Sequence, residues 1–154
     1  MKVPAVITSK VCAEGLPPNI APFFLVDTIA LPGPIFFPVV EAFWEAVGII
    51  APTVRTFRQI NILFGARDFT INLSSGSLTY MKDPEVINAC FNDMIFIDCE
   101  RLLAEDHTAR VVCILEELVH ILYNIIDETI TAKIVSLLFP KIKEVSGKYC
   151  ENNE

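Results

Sequence analysis

Glu116, Glu117 and His120 fall within five residues of one another in a stretch, Asp106 to Glu128, that reads as a long apolar helix. Side chains four apart on a helix stand one above the other, so Glu116 and His120 converge, with Glu117 one position round. A histidine at position 116 would complete His-Glu-x-x-His. In that arrangement two imidazoles hold Zn²⁺ and the intervening glutamate is general base toward a metal-bound water. Here Glu117 takes the catalytic base position and His120 that of the second ligand, while Glu116 offers a carboxylate in place of the first nitrogen. Zinc accepts carboxylates, but they suit harder ions, so the metal expected is zinc or another divalent cation. The plainer alternative is an amphipathic surface helix, with Glu116 and His120 an i,i+4 pair worth about 0.3 kcal/mol.

The helix that must carry these residues plots cleanly. Val111, Ile114, Leu115, Leu118, Val119, Leu122, Ile125 and Ile126 fill about half its circumference, at roughly 100° per residue. Arg110, the three site residues, Asn124 and Asp127 fill most of the rest, and Asp106 suits the N-cap. Upstream, Gln59 to Phe64, Phe69 to Leu73, Leu78 to Met81 and Asp93 to Asp98 carry strand signals. Ser74 to Ser77 reads as a turn, and Pro84 to Ala89 as one turn of helix. Pro38 to Ile50 reads as a short helix with Trp44 on its core side, and Thr129 to Leu138 as a second helix that Pro140 ends. The fold class expected is α+β, a small antiparallel or mixed sheet packed on the motif-bearing helix.

At 154 residues the chain fits one domain, 1–154. Residues 1–55 read as a proline-rich, extended arm followed by the short helix, because proline fixes φ and removes an amide donor. Phe23, Phe24, Leu25, Val26, Ile29 and Leu31 make the arm apolar, so it must lie on its own core or on a partner, a second copy forming a homodimer included. His107, at a helix start, is expected in solvent, and the tail from Lys148 onward is expected to fray. A net charge of −7 without clustered Lys or Arg argues against nucleic acid. Five cysteines without a CxxC pair suggest reduced thiols in a cytoplasmic protein. Glu41, Glu45 and prolines interrupt the apolar run from Ile20 to Val54, so no membrane span is expected.

The run NDMIFIDCERLLAEDHTARVVCILEELVHILYNIIDE resembles the core of zincin-like metallopeptidases: an apolar strand, an acidic link, then the motif helix. Asp127-Glu128 followed by TITAKIVSLLFP looks like the second helix of the small intracellular zincins, with its Leu-Leu-x-Pro pattern at Leu137 to Pro140. The resemblance covers residues 57–140 and implies that Asp127 or Glu128 is the third metal ligand, beside Glu116 and His120. It also implies a peptide or protein substrate, lying as an added strand along Asp93 to Asp98. The degenerate motif leaves three states open: a peptidase with an unusual metal, a metal-binding non-enzyme, or an inherited fold with no metal. The competing class is a non-catalytic interaction domain that docks through residues 16–52.

Overall fold

The computed structural model describes residues 3–29, 31–55, 58–66, 68–73, 76–81, 88–145 and 148–152. In chain order the elements are β1 (Val6–Ile7), α1 (Ser9–Glu14), β2 (Phe24–Thr28), β3 (Leu31–Pro32) and α2 (Gly33–Ile50). Then follow β4 (Ile60–Gly65), β5 (Phe69–Leu73), β6 (Gly76–Tyr80), β7 (Asn88–Phe91) and β8 (Met94–Asp98). The chain continues with α3 (Cys99–Ala104), α4 (His107–Tyr123), α5 (Glu128–Leu138), β9 (Ile142–Val145) and β10 (Lys148–Glu151). This is a mixed α+β fold.

The main sheet has the order β2-β4-β8-β7, its first three strands parallel and β7 antiparallel to β8. Alternation along β4 buries Ile60, Ile62 and Phe64 on one face, against α2 and α4. Phe43 of α2 meets Phe64 edge-on, ring centroids 5.2 Å apart, and lies 6.4 Å from Phe24 of β2. Truncating so buried a phenylalanine to alanine costs about 3–5 kcal/mol.

The N-terminal third is not the arm its prolines suggested. Phe24 to Thr28 extend far enough to pair with β4 in parallel register, and Ile7, Leu16, Ile20 and Leu31 are buried in the chain's own core. Most of these prolines fall between elements or in first turns, where a missing amide proton costs no internal bond, while Pro32 ends β3 and Pro38 lies inside α2. α2 begins at Gly33, five residues before the expected start, and runs through Pro38. By length and composition this helix is apolar enough to cross a membrane, despite Glu41 and Glu45; here more than half of it is buried inside the fold.

Three further expectations change. The tail pairs as the β9–β10 hairpin. His107 is not simply solvated: its Nε2 lies 2.7 Å from Glu45 Oε2, and Lys141 Nζ is 3.4 Å from the other oxygen. The His107 hydrogen bond first, and the Lys141 charge after it, hold the Glu45 carboxyl below its ordinary value against the effect of burial. Asn88 and Ala89, expected at the end of a helical turn, belong to β7. The rest of that turn, residues 84–87, and Ser74-Ser75 lie outside the described residues.

Trp44 packs edge-on against Phe37 and donates its indole N–H to the Cys12 carbonyl at 2.7 Å, tying α2 to α1. The contact leaves no room for a side chain at Gly15, where a Cβ would stand 2.2 Å from the indole. Gly15→Ala should therefore lower stability by about 1–3 kcal/mol through overpacking. Urea unfolding followed by the fluorescence of this sole tryptophan measures the effect. An unchanged midpoint would mean that α1 shifts freely.

Candidate functional site

Two structural signals shape the region around His120. Asp106 caps α4 by accepting the Ala109 amide at 2.8 Å, and Asn124 ends the helix in the left-handed conformation, φ 54°. The helix expected to run through Glu128 thus stops at Tyr123, and the second helix, expected from Thr129, begins at Glu128. Residues 124–127 cross over, and Asp127 opens α5 by accepting the Ile130 amide at 2.9 Å.

The break folds the chain back onto the histidine. His120 Nδ1 donates to the Ile125 carbonyl at 2.7 Å, with the buried Thr131 hydroxyl 3.4 Å from the same nitrogen. A carbonyl only accepts, so Nδ1 carries a proton, and Nε2 is the nitrogen turned to the cleft. Glu128, first residue of α5, sets its Oε2 3.3 Å from that Nε2.

Both residues line a cleft of about 880 Å³ between α4 and β7. Glu117, Asn88, Cys90, Asn92, Asp93 and Arg58 share its walls. Burial lifts the Glu117 carboxyl above the usual carboxylate range, against a hydrogen bond from the Cys90 thiol and the nearby His120. The Cys90 thiol is itself pushed up to about 12, by desolvation first and by the Glu117 carboxylate next. Arg58 spans the rim, its Nε 3.1 Å from Asp93 Oδ1 and its guanidinium donating to the Ile121 carbonyl.

Glu116 goes elsewhere. It lines a separate cavity of about 200 Å³ beneath the C-terminal hairpin, where Tyr149 of β10 donates its hydroxyl to Glu116 Oε1 at 2.6 Å. Burial raises the Glu116 carboxyl, and the Tyr149 hydrogen bond opposes the rise. Of the residues singled out in sequence, the structure brings Glu117, His120 and Glu128 to one cleft. Glu116 binds a tyrosine, and Asp127 serves as a helix cap. Among the described residues no group of three or more His, Cys, Asp or Glu side chains is placed to hold a metal ion.

Strand β8, the expected docking edge, lies inside the sheet between β4 and β7, so among the described residues the edge beside the cleft belongs to β7. Cys90, Arg58 and Tyr149 were missed in sequence. Only Tyr149 had a local signal, the Ser-Gly turn dipeptide at 146–147 between two short alternating runs. All five cysteines are free, with Cys12 and Cys99 buried and Cys90 and Cys150 exposed.

Compared with protein-family models, curated proteins and solved structures, the chain matches none.

The raised carboxyl makes a pH prediction. Above the ordinary glutamate value of 4.5, the unfolded chain has released the Glu117 proton while the folded chain still holds it, so stability falls as pH climbs toward the folded value. Glu117→Gln should flatten this decline and be the more stable protein above that window. Chemical unfolding at a series of pH values tests this; wild-type and variant curves that stay parallel would contradict it.

Proposed function

We propose that the chain is a zincin-like domain with an altered metal site, whose cleft receives an extended peptide along the outer edge of β7 without hydrolysing it. One observation carries the reading. Glu117, His120 and Glu128 share the cleft beside that edge, while Glu116 is turned into the cavity under Tyr149. A catalytic zinc takes three protein ligands and an open position. Of the four ligand candidates only His120 and Glu128 face each other, so the donor set falls short of such a centre. What remains suited to a peptide is the edge itself, since an added strand takes main-chain hydrogen bonds from it and sends alternate side chains into the cleft.

The alternative, docking through residues 16–52, retains a smaller surface than the sequence suggested. Leu25, Ile29 and Ile35 face outward, while Leu16, Ile20, Phe24 and Leu31 belong to the chain's own core.

Protein purified without chelators should carry well below one equivalent of any divalent metal by elemental analysis, and should release no product from unstructured peptide substrates. Joining Glu116→His with Tyr149→Phe should create zinc binding that a further His120→Ala removes. Stoichiometric metal in the natural chain, lost in His120→Ala, together with peptidase activity abolished by Glu117→Gln, would overturn the non-hydrolytic reading.

A further inference from the structure

Beneath the C-terminal hairpin lies a second hollow, the cavity of about 200 Å³ that Glu116 lines. Its floor is one face of α4, where Ala109, Val112, Cys113 and Glu116 recur at the i, i+3, i+4, i+7 spacing of a helical stripe. This stripe is not the one that fills the core, which runs through Val111, Ile114, Leu115 and Leu118. The roof is the β9–β10 hairpin, with Ile142 and the Tyr149 ring. Alanine and cysteine are short, so the helix does not fill the space up to the hairpin, and the walls that remain are largely apolar.

Size and polarity narrow what fits. An apolar cavity of about 150 Å³ takes up benzene. Here there is room for a benzene-sized ring and a substituent or two. At one side the Glu116 carboxyl receives the Tyr149 hydroxyl on Oε1 at 2.6 Å. Its Oε2 has no hydrogen-bond partner among the described residues and is not one of the sealed, unpartnered atoms of the fold, so it keeps surface open to a guest. A hydroxyl suits that oxygen in either protonation state of Glu116, because it donates to a carboxylate and accepts from a carboxylic acid. The exposed Asp106 and Glu151 line the same space, and among the described residues no Lys, Arg or His does, so an anionic guest is repelled.

We propose that this cavity is a binding site for a small neutral phenol, with its ring between Val112, Ile142 and the Tyr149 ring and its hydroxyl on Glu116 Oε2. The apolar walls take the ring out of water, which gives affinity without direction. The open carboxyl oxygen fixes the orientation. Glu116 has no place on the walls of the His120 cleft, so this site is separate from it and stands whether or not that cleft takes a peptide.

Three probes of similar shape test the site by calorimetric titration of the full chain: p-cresol, toluene and p-toluate. p-Cresol is expected to bind once, with a Kd below about 1 mM, a strength within reach of so small a ligand. Toluene, which lacks the hydroxyl, should bind at least fivefold more weakly, and p-toluate should not bind in the same range. Amide NMR shifts on adding p-cresol should centre on residues 108–116 and 142–151. Cys113→Leu, which fills the hollow from the helix side, should weaken p-cresol at least tenfold. The gentler Ala109→Val should weaken it at least threefold, which keeps the test open if the larger side chain prevents folding. Shifts centred on the His120 cleft, or undiminished binding in the filled variants, would overturn the site. Toluene or p-toluate binding as tightly as p-cresol would overturn the ligand class, and no binding of p-cresol would overturn both.

Discussion

The His120 imidazole is clasped between two turns of chain, its Nδ1 donating to the Ile125 carbonyl at 2.7 Å because Asn124 ends α4 in a left-handed conformation. An uninterrupted helix would carry residue 125 onward along the axis, and that carbonyl would point away from His120. With the break, one hydrogen bond fixes the ring, selects which nitrogen faces the cleft and brings the first residue of α5 alongside it. Asn124 is among the residue types that enter this backbone region most readily, and Asp127 caps the next helix at once. The candidate site is therefore a property of a helix terminus, more than of the helix face.

That terminus needs a rigid support, which α2 and the parallel strands provide. Phe43, Phe64 and Phe24 join the central helix to β4 and β2, and α4 packs against the same helix and against β7. Parallel pairing of β2 with β4 needs a crossover, and α2 fills it. One of the four strands of the main sheet therefore comes from a segment that proline content alone assigns to irregular structure.

The sequence shows well those features that are set locally. Alternation marks β5 at Phe69–Leu73 to the residue, and Asp106 marks the start of α4. Val111, Ile114, Leu115, Leu118 and Val119 are buried as the period of α4 implies, whereas Ile126, placed on the same stripe by that period, lies past the helix end and is 91% exposed. Features set by distant partners escape. Residues 24–28 carry no clean alternation, because β2 is judged by its pairing with β4 rather than by its own pattern. Glu116 and His120 are four apart, which places their backbones together but leaves each side chain to its own neighbour. Tyr149, 33 positions on, draws Glu116 aside, and nothing within the motif announces it. Glu117 and His120 were legible because a three-residue spacing on a helix sets both on one side of it, and that side faces β7.

A strand edge open to an incoming peptide is also open to another copy of itself, which is the usual route from folded protein to aggregate. The acidic groups that border β7, Asp93 at its turn and Glu117 and Glu128 across the cleft, face their own likenesses when two such edges approach. The net charge of −7 adds to that repulsion. The repulsion is screened over about 10 Å at 0.1 M salt and over about 3 Å at 1 M. Concentrated salt thus removes the guard on the edge, and colloidal stability in this protein is tied to the same charges that give the cleft its character.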